Sequence, residues 1–215
     1  MKKGDPSALK QSKVLAHELV KKFAPGIKGS RFSVVSFNAN ATRRVGWSYN
    51  ESEIEHGIDD MKADGQTSIS DGFEAVRHLF DINATDGREN AIKVVLLLSD
   101  GRQTVDAASG KTLLKTALDS AMRVKNQSAT VYAWGFGDKV NLTELEMIAS
   151  GPNKTKFQPS IGDLTPFGDQ LRADICGAYP PPPTTAPCPP PPSPSSPLPS
   201  SPPPPPSPSP PPPSP

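Results

Sequence analysis

The sequence lacks an apolar run long enough to cross a bilayer, which excludes a transmembrane helix. It also lacks a charge imbalance, because 23 basic and 22 acidic residues leave a formal net charge of +1. A chain so close to neutral gives no electrostatic reason to expect binding to nucleic acid or to an anionic membrane surface. Only two cysteines occur, Cys176 and Cys188. They could pair with each other or with cysteines of another chain, so they leave the redox compartment open.

Proline is scarce except at the carboxyl end of the chain. Residues 180–215 hold 23 of the 28 prolines, together with eight serines and no charged residue. Such a segment has few backbone donors and favours the polyproline II conformation, so we predict an extended or disordered tail. Residues 1–179 carry all the charges and have the size of a single domain with one core. We therefore predict a globular domain over 1–179 and a Pro/Ser-rich low-complexity tail over 180–215.

Serine or threonine stands two positions after asparagine far more often than chance would give. Six of the eight asparagines lie in Asn-X-Ser/Thr sequons, where roughly one is expected by chance, and this excess predicts N-glycosylation in the secretory route. The candidate acceptors are Asn40, Asn50, Asn83, Asn126, Asn141 and Asn153. An alternative is that asparagine serves turns and helix starts; Asn141, followed by Glu144, could cap a helix.

The hydrophobic pattern predicts strands alternating with helices. We expect helices over residues 7–24, 51–61, 69–80, 111–125, 142–149 and 163–175, and strands over 31–37, 42–46, 91–98 and 130–134. The second strand is expected to be antiparallel to the first, and the run AIKVVLLL is typical of a buried parallel strand. The pattern indicates an α/β domain with a mostly parallel sheet. Ligand sites in such sheets lie at the carboxyl ends of the strands.

In order along most of residues 7–175, five segments resemble a von Willebrand factor type A domain. They are RFSVVSF, GQTSISDGFEAV, KVVLLLSDG, VYAWGFG and LTELEMIAS. The resemblance implies a doubly wound sheet with helices on both faces. It also implies a metal-ion-dependent adhesion site, in which an Asp-X-Ser-X-Ser loop, a threonine and an aspartate hold a divalent cation.

Carried onto this sequence, the resemblance assigns the threonine to Thr67 and the aspartate to Asp100. It implies Mg²⁺, or Mn²⁺ or Ca²⁺, and hydroxyl and carboxylate oxygens suit such hard cations. An open coordination position would accept a carboxylate from a partner. Outside this family context, a threonine before a helix is commonly an N-cap and Asp-Gly after a strand is commonly a turn.

The sequence departs from the family at its start, because the first, central strand and its Asp-X-Ser-X-Ser loop are missing. Met1 stands where the family often has a methionine directly after that loop. The opening residues, MKKGDP, also lack the apolar core of a signal peptide. We expect Met1 to be an internal methionine or a fragment boundary, with strand and signal upstream. With two ligands, the chain as printed is not expected to bind a metal tightly.

No catalytic residue is predicted, so we do not expect an enzyme. His17, His56 and His78 are isolated, and Ser99 lacks the Gly-X-Ser-X-Gly context of a nucleophile. The tail resembles the hydroxyproline-rich modules of plant and green-algal cell-wall glycoproteins such as extensins and pherophorins.

We expect an extracellular adhesion module that binds a protein or glycan partner, carried on a proline-rich spacer in a cell wall or matrix. One alternative is a metal-free structural glycoprotein of the wall. Another is an intracellular scaffold whose tail binds SH3 or WW domains.

Overall fold

The computed structural model describes residues 6–26, 29–62, 65–83, 91–100 and 102–177. The helices are α1 (Pro6–Phe23), α2 (Glu51–Asp59), α3 (Ile69–Asn83), α4 (Leu113–Lys125), α5 (Leu142–Ile148) and α6 (Phe167–Gly177). The strands are β1 (Phe32–Phe37), β2 (Ala41–Ser48), β3 (Lys93–Ser99), β4 (Ala129–Phe136) and β5 (Thr155–Gln158). Short 3-10 turns lie at Pro152–Lys154 and Ile161–Leu164. The chain divides into two units, residues 1–180 and 181–215; the second lies outside the described residues, so the form of the tail stays a prediction.

The described strands form two sheets. β1 and β2 form an antiparallel hairpin, as the sequence predicts, and β3, β4 and β5 form a parallel sheet with β4 in the middle. The predicted α/β class with a parallel sheet is confirmed. No ladder joins the two sheets among the described residues.

Helices cover both faces of the parallel sheet, so the core has two main layers. One layer packs α3, α4 and α5 on the sheet through residues such as Phe73, Val124 and Leu145. The other packs α1 and α6 on the opposite face, where Leu15 and Trp134 are almost fully buried. Burying one leucine of this kind stabilises the fold by about 1.5–3 kcal/mol. A smaller cluster joins α1 to α2 and β1.

Two elements differ from the sequence-based expectation. β5 was not predicted, because its four residues, TKFQ, are too short to show a periodicity. The last helix was predicted over 163–175, but it begins at Phe167 after the separate 3-10 turn. Pro166 explains the break, since proline has no N–H for a helical hydrogen bond yet is well tolerated at a helix start.

The structure also bears on membrane crossing. Within the described ranges, no helix combines the length and the apolar character that a membrane span requires.

Candidate functional site

Strands β1 and β3 both end beside the first turn of α3. The backbone N–H of Ser68 donates to the carbonyl of Asn38, just after β1, at 2.6 Å. The N–H of Thr104, in the loop after β3, donates to the carbonyl of Thr67 at 2.8 Å. We call this region the upper edge, and it comprises residues 38–40, 67–71, 100 and 102–106. It is the carboxyl end of the strands, where α/β sheets bind ligands.

Thr67 is fixed by its backbone. Its N–H donates to Thr104 Oγ1 at 2.9 Å, and its carbonyl accepts the Thr104 amide. The Thr67 hydroxyl itself forms no hydrogen bond with any described residue, so it is positioned but uncommitted. Asp100 is exposed directly after β3, and its carboxylate likewise has no ion pair within the described part of the chain.

A buried glutamine connects the two loops of the upper edge. Gln103 is 5% exposed; its Oε1 accepts the Ser70 amide at 2.8 Å and its Nε2 donates to Ser70 Oγ at 2.9 Å. The same Nε2 reaches the carbonyl of Asp106 at 3.3 Å. Buried polar groups are stable only when they are paired. Here the two bonds to Ser70 tie the loop after β3 to the start of α3, and the bond to Asp106 lies within that loop.

The start of α3 is a capped helix end. Ser68, fully buried, accepts the Asp71 amide through its hydroxyl at 3.3 Å, so it is the N-cap. The alternative that Thr67 itself caps this helix is therefore wrong, because the next residue does so.

Asp71 and Asp106 place negative charge at this edge. Burial raises the pKa of Asp71 above its ordinary value, and repulsion from Asp106 raises it further. Hydrogen bonds from Ser68 and from the Ala41 backbone act in the opposite direction without cancelling the rise. Asp106 has a φ of 64°, a left-handed conformation that aspartate adopts more readily than most residues.

The oxygens of Thr67 and Asp100 are of the type that binds a divalent cation, but they are too few to complete its coordination shell. A hydroxyl at Thr67 and a carboxylate at Asp100 are ligands that hard cations prefer. Six or more oxygens complete such a shell, and waters supply only part of a tight site. Within the described ranges, no group of three or more His, Cys, Asp or Glu residues could hold a metal ion. The printed chain therefore supplies part of a site.

A cleft of about 290 Å³ opens next to the upper edge. Its floor is apolar and includes Ile69, Leu113 and Ile148, while Arg102 and Glu144 stand at its rim. These two charged groups approach to 3.8 Å. A partner bound at the upper edge would meet this mixed surface.

The predicted glycosylation acceptors lie at loops and at ends of elements. Asn40 is exposed in the turn between β1 and β2, Asn126 is the C-cap of α4, and Asn153 is exposed in a 3-10 turn. Asn83 is the last residue of α3. Asn50 is exposed at the N-cap of α2.

The capping role considered for Asn141 is observed. Its Oδ1 accepts the amides of Thr143 at 3.1 Å and Glu144 at 3.4 Å, and its Nδ2 donates to Glu144 Oε1. Capping uses the oxygen, whereas a glycan would replace one of the two hydrogens of Nδ2, so the other hydrogen could keep the bond to Glu144.

The remaining singled-out residues are dispersed. Cys176 is exposed on α6, while Cys188 lies outside the described residues, so their pairing stays a prediction. His17, His56 and His78 lie on three different helices.

The sequence predicts Thr67 and Asp100 as site residues, which stays a prediction, but it does not mark the residues that connect the loop after β3 to α3. Gln103 and Thr104 follow Asp100 by three and four positions, and no local pattern marks them as partners of α3. Asp71 could have been noticed, because a serine followed three residues later by an acid before an apolar run is a capping signal.

Comparisons with known proteins agree with the fold. The model of the von Willebrand factor type A domain matches residues 4–166. Proximal thread matrix protein 1 from the mussel byssus is 25% identical, with a TM-score of 0.64 over 80% of this chain and 42% of that chain. Its structure with a zinc occupied MIDAS motif is 27% identical, with a TM-score of 0.67 over 78% of this chain and again 42% of that chain.

A more distant structure shows the fold alone. The vWF domain of the type V pili tip protein Mfa5 from Porphyromonas gingivalis is 13% identical, with a TM-score of 0.67 over 79% of this chain and 88% of that chain. No curated protein sequence matches this chain.

Proposed function

The chain belongs to the von Willebrand factor type A domain family, and from that premise we propose that it is an extracellular adhesion module without catalytic activity. In its full-length form it binds a protein or glycan partner in a manner that depends on a divalent cation. A proline-rich spacer carries the module in a cell wall or matrix.

The observation that supports this proposal most is the position of Thr67. Two bonds to Thr104 hold it against the loop that begins with Asp100, and its hydroxyl forms no hydrogen bond with any described residue. A bound cation would supply an open coordination position that accepts a carboxylate of the partner. Thr67 and Asp100 would hold that cation through a hydroxyl and a carboxylate oxygen.

The other residues of the upper edge position this pair. Gln103 fixes the spacing between the loop after β3 and the start of α3 from a buried position. Ser68 caps α3 and anchors it to the end of β1, so Thr67 cannot drift from the strand ends. Asp71 and Asp106 add negative charge that attracts a cation to this edge.

The identity of the metal is open among Mg²⁺, Mn²⁺ and Ca²⁺. A zinc occupied motif in the mussel protein supports divalent binding by a related domain. Two protein ligands do not suffice for tight binding by the printed chain, and the remaining ligands are proposed to belong to the full-length form.

The proposed location depends on the sequons and on the mussel relative. All six sequon asparagines lie at loops or at ends of elements, where a glycan can be accommodated. The mussel protein is a thread matrix protein, which favours an extracellular role for a similar domain. The hydroxyproline-rich character of the tail and a plant or green-algal wall are part of the proposal on the tail's composition alone.

Two alternatives predict different results. A metal-free structural wall glycoprotein would keep its associations in EDTA. An intracellular scaffold that binds SH3 or WW domains through its tail would carry no N-glycans, so deglycosylation would leave the native protein's mass unchanged.

The test uses the native full-length protein and the matrix fraction of its own source. We expect retention on that fraction in Mg²⁺, release by EDTA, and loss of retention in Thr67→Ala and Asp100→Asn. Glu146→Gln, an exposed carboxylate on α5, is the matched control and should bind normally. Retention that is unchanged by EDTA would contradict the metal-dependent function.

A further inference from the structure

Asn141 differs from the other sequon asparagines whose side chains are described. Asn40, Asn50, Asn126 and Asn153 are exposed, whereas Asn141 is partly buried. Its Oδ1 accepts two backbone amides at the start of α5, and these bonds fix the orientation of the side-chain amide. An N-glycan is attached to the Nδ2 atom. The orientation of this amide therefore decides where the first sugar lies.

The Nδ2 atom of Asn141 lies at the rim of the cleft next to the upper edge. It donates to Glu144 Oε1 at 3.2 Å, and the same oxygen is 3.8 Å from Arg102 Nε. Glu144 and Arg102 both line the cleft. A sugar bonded to Nδ2 therefore begins within one hydrogen-bond length of a rim residue.

The cleft has room for one sugar. An apolar cavity of about 150 Å³ holds a benzene ring, so a cleft of about 290 Å³ can hold a pyranose ring with its acetamido group. Its floor, which includes Ile69, Leu113 and Ile148, is apolar. N-acetylglucosamine, the sugar that begins an N-glycan, offers its acetamido methyl group to such a floor and its hydroxyl groups to a polar rim.

The two charged groups at the rim can bond to such a sugar. Their separation of 3.8 Å is longer than a hydrogen bond, so a hydroxyl group can interact with both. The Arg102 side chain is 58% exposed and donates, while the Glu144 carboxylate is 18% exposed and accepts. An ion pair with one exposed partner contributes little by itself, so a sugar that rearranges this pair costs little.

We propose that the cleft is the binding site of the chain's own glycan. The N-acetylglucosamine attached to Asn141 lies in the cleft, with its acetamido group against the apolar floor and its hydroxyl groups on Arg102 and Glu144. This inference rests on the proposed glycosylation of Asn141. It adds that this glycan covers the surface between α3, α4 and α5 instead of extending into solvent.

A sugar in the cleft would border the upper edge. Ile69, in the floor, follows Thr67 by two positions, and Arg102, at the rim, follows Asp100 by two positions. The glycan would then form one wall of the surface that a partner meets. The asparagine at the carboxyl end of α4, Asn126, cannot have this role, because α4 separates it from the cleft.

The first test measures how accessible the floor of the cleft is. It uses the glycosylated full-length protein, secreted from a eukaryotic host, with Leu113→Cys as a probe for a maleimide reagent. Peptide mass mapping reads the labelling at position 113, so the native cysteines need no change. Thr143→Ala removes the glycan and keeps the Asn141 cap. If one net hydrogen bond holds the sugar in place, labelling should be about fivefold slower with the glycan than without it.

The matched control removes a glycan from the other end of the same helix. Asn126→Gln changes the C-cap of α4, about 20 Å from Leu113 along 13 residues, and should leave the labelling rate unchanged. Equal rates with and without the Asn141 glycan would overturn the inference. So would an equal acceleration by Asn126→Gln, because the protection would then be nonspecific.

The second test concerns the contact with the guanidinium group. Arg102→Ala should bring the ratio of the two labelling rates, measured with and without the Asn141 glycan, close to one. Lys115→Ala removes an exposed cation of α4 that pairs with Asp119 and does not line the cleft, so it should leave the ratio unchanged. A ratio that survives Arg102→Ala would contradict the proposed contact.

Trimming the glycan separates binding in the cleft from general shielding. Enzymatic removal of all but the first sugar should keep the protection of position 113, because the first sugar is the proposed occupant. Protection that disappears with the outer sugars would overturn the inference while the glycosylation of Asn141 stands. A secreted protein whose mass shows no glycan at Asn141 would overturn both.

Discussion

At the scale of single residues, the upper edge depends on a few buried polar side chains. Gln103 forms three hydrogen bonds from a site that is 5% exposed, and Ser68 joins the helix start to the end of β1. Leaving such groups unpaired costs about 1–3 kcal/mol each, so these residues determine where Thr67 lies. The carboxylates of Asp71 and Asp106 destabilise the same edge, because they repel each other.

The titration of Asp71 tests that repulsion. Its folded-state pKa is raised, so its contribution to stability is present below the unfolded value of 3.8 and is lost as pH rises through the folded pKa. Asp106→Asn removes one cause of the rise and preserves a residue that tolerates the left-handed backbone. We expect the variant to lower the pKa of Asp71, measured by carboxyl carbon NMR.

The same variant should raise the free energy of unfolding near pH 7 and leave it unchanged near pH 3. Glu146→Gln, which lies outside the acidic pair, should not alter the Asp71 titration. An unchanged Asp71 pKa in Asp106→Asn would show that the two carboxyl groups do not interact.

At the scale of elements, two helices begin at asparagines that both cap the helix and are proposed glycosylation sites. α2 and α5 begin at Asn50 and Asn141, whose Oδ1 atoms accept two backbone amides each, and both asparagines are also sequon acceptors. One side chain is thus assigned a capping role and a proposed modification. The two roles use different atoms and can be separated by mutation.

Asn141→Ala and Thr143→Ala separate them at α5. Both variants destroy the sequon, so after secretion from a eukaryotic host each should lose the mass of one glycan. In unglycosylated protein, only Asn141→Ala should lose about 1 kcal/mol of unfolding free energy in urea, because only it removes the cap. Thr143→Ala should stay within about 0.5 kcal/mol of the wild type.

A Thr143→Ala protein that keeps its full mass would show that Asn141 carries no glycan. An Asn141→Ala protein whose unfolding free energy equals that of the wild type would contradict the stabilising role of the Asn141 cap.

The sequence predicted most elements because their patterns are local. The apolar run before Ser99 and the periodicity of α1 and α3 each lie within one segment, and these elements are confirmed. β5 and the partners of Gln103 depend on contacts between distant segments, which local periodicity does not report. Pro166, which has no N–H to donate within a helix, is a local signal for the start of α6 at Phe167.

At the scale of the whole molecule, two sheets share the same covering helices. α3 and α1 each contact both the β1–β2 hairpin and the parallel sheet, and they hold the two sheets together although no ladder joins β1 to β3 among the described residues. The upper edge lies at the start of α3, beside the carboxyl ends of β1 and β3.

The most direct test of the central claim is Mn²⁺ broadening in the NMR spectrum of the ¹⁵N-labelled chain. Mn²⁺ is paramagnetic and takes oxygen ligands, so even weak, millimolar binding is visible at individual amides. We predict selective broadening of Thr67, Ser68 and Arg102 that is lost in Asp100→Asn and kept in Glu146→Gln. Broadening that spares these residues, or that survives Asp100→Asn, would contradict a cation site at the upper edge.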